Sequence, residues 1–185
     1  IGNRNHRMCG YAGFYLNRKR TSQGEMEKTI TRMANSLEHR GPDDLGIWLD
    51  SNKPIAFGHR RLSIVDISAS GHQPMTSSNN KYVMAYNGEI YNHTQLRKEL
   101  DLINSSLNWN GHSDTETLLA GFEVWGIQKT LGKIVGMFSI ALWERDSHTL
   151  HLIRDRFGEK PLYYGWIDTG QEKVFAFGSE LKAFR

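Results

Sequence analysis

Six short segments hold polar and reactive residues in patterns too specific for structural filler. They are Met8-Cys9-Gly10, Arg40-Gly41-Pro42-Asp43, Arg61-Leu62-Ser63-Ile64-Val65-Asp66, Asn87-Gly88-Glu89-Ile90-Tyr91-Asn92-His93, Gly111-His112-Ser113-Asp114-Thr115-Glu116, and the run 154–164 from Arg154 to Tyr164. Cys9 is the sole cysteine; a thiol can act as a nucleophile, although a lone cysteine more often packs as a small apolar group. Arg61 offers a planar fork that matches a carboxylate through two parallel hydrogen bonds, and Arg60 beside it is the rival for that task. Asn87-Gly88 follows an apolar strand pattern, where a side-chain amide and a main-chain N–H can converge on one oxygen; the same dipeptide is also a common hairpin turn. Asp114 opens a helical stretch, where a carboxylate complements the helix dipole and can equally hold a cation.

The elements that must position these residues follow from periodicity. Residues 9–15 form a strand pattern whose small residues admit close neighbours. Residues 25–37 carry Met26, Ile30, Met33, Ala34 and Leu37 at helical spacing, stopped by the Gly41-Pro42 turn. Residues 46–49 and 55–59 pattern as a strand pair joined by a turn at 50–52, and 82–86 as a further strand running into Asn87-Gly88. Helices are expected over 94–100 and 114–125, the second with Ser113 as N-cap and Glu116 completing a capping box. Residues 136–143, 150–153, 162–166 and 174–178 pattern as four more strands, the first pair turning around Asp146-Ser147. Strands, then helices, then strands again, with hairpin-like joins, argue for an α+β fold of antiparallel sheets with segregated helices.

Composition narrows the function classes. The 185 residues fit one domain, and 38% hydrophobic with 23% charged is ordinary for a soluble globular protein. No apolar stretch approaches the ~20 residues a membrane-spanning helix needs, and the first eight residues lack the apolar core of a secretory signal, so a cytoplasmic location is expected and no membrane partner. The net charge of +3 comes with short basic groups at 18–20 and 59–61, not the broad stripe of a nucleic-acid surface. One cysteine rules out an internal disulfide. Eight histidines include no pair at zinc-ligand spacing, so no metal site is expected. Two Asn-X-Ser/Thr matches, at Asn92 and Asn104, are read as chance.

Together, in this order, the six segments resemble the class II (N-terminal-nucleophile) glutamine amidotransferases, most closely the N-terminal glutaminase domain of asparagine synthetase B. The similarity runs from Met8 to about Phe184. The Arg-Arg-Leu-Ser-Ile-Val-Asp context of Arg61, and Asn87-Gly88 continuing as Glu-Ile-Tyr-Asn-His, are similar to the asparagine synthetases and not to the glucosamine-6-phosphate synthase branch. The resemblance implies a four-layer α/β/β/α sandwich of antiparallel sheets. It implies glutamine hydrolysis through a γ-glutamyl thioester on Cys9, with Asn87 and Gly88 as the oxyanion hole. It assigns Arg61 to the glutamine α-carboxylate, main-chain groups of Leu62, Ser63, Ile64 and Val65 to the pocket lining, and Asp114 with Glu89 to the α-ammonium. Arg60 then reads as solvated, Arg40-Gly41-Pro42-Asp43 as a bracing turn, and the run 154–164 as a kinship marker that packs the far sheet or faces a further domain.

In such proteins the nucleophile is the first residue, because a free α-amine has a pKa near ~7.7–8.0 and can serve as base at neutral pH. Here Ile1 to Met8 precede Cys9, so residues 1–8 read as a leader, an expression remnant or an uncleaved propeptide, and 9–185 as the glutaminase domain. The resemblance further implies no cofactor in this domain, L-glutamine as substrate, and a C-terminal synthetase domain that uses ATP and Mg²⁺ and receives the ammonia. It also allows a homodimer. Two other readings stay open: delivery of ammonia to a different carboxylate, such as a sugar acid, and a non-catalytic glutamine-binding module.

Overall fold

The computed structural model describes residues 8–17, 21–62 and 71–185. The leader positions 1–7, the basic run 18–20, and Ser63, Ile64, Val65 and Asp66 lie outside the described residues. Among the described residues, nine strands and four α-helices run in the order β1 (Gly10–Leu16), α1 (Gln23–Asn35), β2 (Asp44–Leu49), β3 (Ile55–Arg61), β4 (Met75–Thr76), β5 (Tyr82–Ile90), α2 (His93–Ile103), α3 (Asp114–Val124), α4 (Ile127–Lys133), β6 (Gly136–Glu144), β7 (Thr149–Arg154), β8 (Tyr163–Asp168) and β9 (Lys173–Gly178). The short elements β4 and α4 were not legible in the periodicity. Two residues are too few for an alternation, and the polar helix Ile127–Lys133 buries only Thr130.

The strands form two antiparallel sheets, β2-β3-β1-β9-β8 and β4-β5-β6-β7. Helix α1 covers the first sheet, with Met26, Ile30, Met33 and Leu37 packed on Ala12, Phe14, Leu16 and Ala56. Helices α2 and α3 cover the second, placing Leu96, Leu118, Leu119 and Phe122 against Tyr82, Met84, Tyr86, Ile140 and Leu142. Between the sheets lie Tyr11, Ile55, Phe57 and Phe177 from one side and Val83, Ala85, Ala141 and Trp143 from the other. The four-layer α/β/β/α sandwich is the expected fold.

Strand parity decides which residues meet. Side chains alternate between faces with period two, and in β1, β3, β5 and β6 the odd-numbered residues face the opposite sheet while the even-numbered ones face the helices. Cys9, His59, Arg61, Asn87 and Ser139 share that odd parity. Arg60 has the even parity, and its guanidinium donates to Asn35 on α1 instead of standing free in solvent.

Helix α1 starts with a complete capping box: Ser22 Oγ accepts from the Glu25 N–H, and the Glu25 carboxylate accepts from the Ser22 N–H. The box expected at Ser113 and Glu116 is only half made. Ser113 Oγ accepts from the Glu116 N–H, but the Glu116 carboxylate turns away to Asn110 N, Gly111 N and Arg97. Three donors, one of them charged, outcompete a single N–H for that carboxylate.

Polar groups also cross the gap between the sheets. The Tyr11 hydroxyl bonds Ser139 Oγ, and His59 Nε2 lies 3.0 Å from the Tyr86 carbonyl, to which it donates as a neutral imidazole. Full burial pushes the His59 pKa down to about 4 from 6.5, the Tyr86 carbonyl only partly opposing that. The unfolded chain therefore binds the proton more tightly, so the His59 contribution is complete above pH 6.5 and is lost as pH falls towards 4. The unfolding free energy should drop by up to about 3 kcal/mol over that window. Denaturant titrations as a function of pH check this, and His59→Gln should flatten the slope.

Candidate active site

Cys9 sits one residue before β1, the central strand of its sheet. Gly10 pairs with Arg60, so extending the register brings the main chain of Cys9 opposite Arg61, with Leu62 just beyond. The Leu62 N–H donates to Cys9 Sγ at 3.4 Å, and the thiol in turn reaches the Leu62 carbonyl at 3.8 Å. Arg40, from the turn after α1, donates through Nε to the Cys9 carbonyl at 3.1 Å and pairs with Glu180 at 2.9 Å. The Arg40-Gly41-Pro42-Asp43 segment thus braces the Cys9 main chain directly.

Burial pushes the Cys9 thiol pKa up, partly offset by the Leu62 N–H and then by the charges of Arg61 and Arg40. At neutral pH the group is a thiol, and it needs a base before it can attack.

Across the gap stand Asn87 and Gly88. They were expected at a strand end; instead β5 runs on to Ile90, with Asn87 paired to Ser139 and Gly88 to Phe138. Continuous pairing with β6 overrides the turn preference of the Asn-Gly dipeptide. A Cβ at position 88 would strike the Met137 carbonyl and come 2.8 Å from Phe138 Cα, so the close approach of the strands requires glycine. Asn87 is 2% exposed, and its Nδ2 has no hydrogen-bond partner among the described residues. Leaving such a donor unmade costs about 1–3 kcal/mol, so its retention points to a ligand acceptor.

Arg61 is buried, and its guanidinium packs flat over Gly71, where any Cβ would overlap it. The Asp114 carboxylate, at the start of α3, accepts from the Tyr86 hydroxyl at 2.7 Å and the Ile90 N–H at 2.9 Å, both on Oδ2. Glu89 is exposed at the rim.

All of these line one cavity of about 370 Å³: Cys9, Arg61, Leu62, Asn87, Gly88, Glu89 and Asp114 come together there. Ser63, Ile64 and Val65, expected in the same pocket, lie outside the described residues. Further lining residues escaped the sequence reading, among them Gln73, Tyr86 and Lys160. Gln73 Oε1 accepts from the Tyr86 N–H at 2.7 Å, and Tyr86 orients Asp114. Their side chains carry no signature of their own. Lys160 did carry a signal, inside the run 154–164 read only as a kinship marker. The aromatic end of that run, Tyr163 and Tyr164, is exposed on the edge strand β8.

The cavity therefore joins a thiol, an unpaired amide donor, a guanidinium and two carboxylates. Such a set suits acyl transfer on a small zwitterion, with opposite charges for its two ionic ends. Among the described residues no group of three or more histidine, cysteine or acidic side chains is placed to hold a metal ion, and no helix is long and apolar enough to cross a membrane.

Comparisons with known proteins agree with that chemistry. The family model described as a glutamine amidotransferase domain matches residues 8–185. Glutamine-hydrolysing asparagine synthetase 1 of Bacillus subtilis (strain 168) is 38% identical over 176 residues, covering 95% of this chain and 26% of the relative. Amidase chry2 of Gibberella zeae is 30% identical, over 96% of this chain and 26% of its own length. The chain thus spans about a quarter of these relatives. Among solved structures, the B. subtilis glutamine phosphoribosylpyrophosphate amidotransferase complexed with ADP and GMP superposes with a TM-score of 0.73 at 21% identity, over 95% of this chain and 43% of that one. At that identity the likeness supports the fold.

The elevated thiol pKa has a direct readout. Alkylation of Cys9 by iodoacetamide should be slow at pH 7 and rise about tenfold per pH unit up to about pH 9, since only the thiolate reacts. Mass spectrometry of the full chain follows it. A rate that levels off below pH 8 would contradict the burial argument.

Proposed function

This chain belongs to the glutamine amidotransferase domain family, and from that premise we propose that it hydrolyses L-glutamine to L-glutamate and ammonia with Cys9 as nucleophile. The observation that carries the proposal is the buried Asn87 Nδ2, without a partner among the described residues, on a side chain that lines the same cavity as Cys9. A donor left open there suits the oxygen that becomes negatively charged when the thiol adds to an amide carbonyl.

On this reading Arg61 takes the α-carboxylate of glutamine through a two-point hydrogen bond. Asp114, with Glu89 at the rim, takes the α-ammonium. Tyr86 and the Ile90 N–H tie up one Asp114 oxygen, and so fix the direction of the other. Cys9 Sγ gives its proton to a base and forms a bond to the side-chain carbonyl carbon, whose oxygen becomes an anion held by Asn87 Nδ2 and the Gly88 N–H. Collapse breaks the carbon–nitrogen bond, and the departing nitrogen takes that proton and leaves as ammonia. Water then gives a proton to the same base as its oxygen bonds to the thioester carbon; the carbon–sulfur bond breaks, that proton passes to the sulfur, and glutamate departs.

The base proposed is the α-amine of Cys9 itself, available once the Met8–Cys9 peptide bond is cut. An amide nitrogen carries no basic lone pair, whereas a free α-amine with a pKa near ~7.7–8.0 does. The relatives named as glutamine-hydrolysing asparagine synthetases support a partner synthetase domain as recipient of the ammonia, and that partner is where the ATP and Mg²⁺ of amide formation are proposed to act.

Glutamate release from L-glutamine should appear with a chain prepared to begin at Cys9 and stay absent from the chain that retains Met8. Cys9→Ala should abolish it, and Asn87→Ala should lower kcat about 100- to 1,000-fold, the usual effect of removing one oxyanion donor. Full turnover with Met8 intact by mass spectrometry would sink the α-amine assignment. Turnover in Cys9→Ala would sink the nucleophile.

A further inference from the structure

The loop between β7 and β8 is built to a fixed shape. The Asp155 carboxylate accepts four main-chain N–H bonds, from Phe138 at 3.2 Å, Phe157 at 3.1 Å, Glu159 at 3.0 Å and Lys160 at 3.0 Å. Arg154 Nε clamps the Lys160 carbonyl at 2.7 Å, and another nitrogen of the same guanidinium holds the Gly158 carbonyl. Gly158 adopts φ +67°, a left-handed conformation that side chains resist.

This scaffold delivers one charged side chain inward. Lys160 is 4% exposed and lines the Cys9 cavity. Among the described residues the only hydrogen-bond partner of its Nζ is the thioether of Met8, at 2.7 Å. Lysine is almost never this buried unless a carboxylate pairs with it, and a thioether is a weak acceptor. The stability cost of such an ammonium is not repaid where it sits, which points to a role in the cavity. Burial, with Arg40 second, pushes its pKa down from the ordinary lysine value.

Met8 is the residue whose carbonyl acylates the Cys9 nitrogen. We propose that Lys160 is a positioning residue for the nucleophile: its ammonium, carried into the cavity by the 154–160 loop, faces the Cys9 nitrogen once Met8 has gone and disfavours a second positive charge there. This rests on the glutaminase reading above. The lysine thereby keeps the α-amine in its basic form at neutral pH. The other charged groups that act on the Cys9 thiol or on Lys160, or line their cavity, are Arg40 after α1, Arg61 on β3, Glu89 on β5, Asp114 on α3, and Asp155 and Glu159 in the loop itself; His93 and His112 also line the cavity. The run 154–164 is then part of the site and not only a packing element.

The test uses the chain beginning at Cys9, with Lys160→Met, Lys160→Gln and Lys160→Arg beside it. Two profiles are measured over about pH 5 to 9: kcat/KM for glutamate release, and carbamylation of the Cys9 α-amine by cyanate, read by mass spectrometry. Removing one charge from the same cavity should move the amine midpoint, and the acid limb of kcat/KM with it, up by about 0.5–2 pH units. Lys160→Arg should keep the parental midpoint. A midpoint common to the parent and to whichever of Lys160→Met and Lys160→Gln folds overturns the proposal, as does an equal shift in Lys160→Arg. If the parent releases no glutamate while the cyanate midpoint still moves, the glutaminase reading fails and the electrostatic role of Lys160 stands.

Discussion

The site depends on the antiparallel pairing of β1 with β3. That register sets the main chain of Cys9 opposite the exit of β3, so the same short stretch supplies the Leu62 N–H that meets the sulfur and the Arg61 guanidinium beside it. A slip of β1 by one residue against β3 would turn Cys9 towards α1 and away from Arg61, because side chains alternate faces at every step. The pairing of β1 with β9 on its other side makes such a slip costly, since Ala12, Phe14 and Leu16 would then leave the α1 core.

The second sheet answers the first by the same parity. Asn87 lies on the face of β5 that also presents Val83 and Ala85 to the gap, while Tyr86 lies on the helix side, where it reaches Asp114. One strand thereby carries two functions on two faces: an amide donor towards the sulfur, and an aligning hydroxyl for the carboxylate. The gap is sealed by buried pairs such as Tyr11 with Ser139 and His59 with the Tyr86 carbonyl, which tie the two sheets together beside the chemistry. Their burial excludes water and strengthens every charge in the cavity.

The charge pattern follows from this geometry. Arg40, Arg61 and Lys160 gather around Cys9, while Glu89 and Asp114 stand on the other sheet and its helix. On the proposed reading, an amino acid bound between them would meet cations at its carboxylate and anions at its ammonium, a match that no single element could provide. The Leu62 N–H, Arg61 and Arg40 pull against the burial that keeps the Cys9 thiol protonated, and burial wins. A thiol held protonated needs a base before it can attack, and this is the place that the proposed role of the Cys9 nitrogen fills.

Much of this was legible from residue types and spacing. The apolar runs of β1, β3, β5 and β6, buried on both faces, and the helical period of α1, which buries one, are local patterns written in the chain itself. Cys9, Asn87, Gly88 and Asp114 each have an ordinary structural explanation taken singly; with Arg61 they stood out because the six segments occur together in the order seen in glutamine amidotransferases. Tertiary structure decided the rest. It placed Asn87-Gly88 inside a strand, because the partner strand's N–H and C=O groups reward extension more than the local turn does. It sent the Glu116 carboxylate to Arg97 and the loop N–H groups instead of its own cap, and it turned the 154–160 loop inward so that Lys160 reached Met8. These outcomes depend on contacts between residues far apart in sequence, whose energies appear only when the sheets close on each other; no periodicity records them.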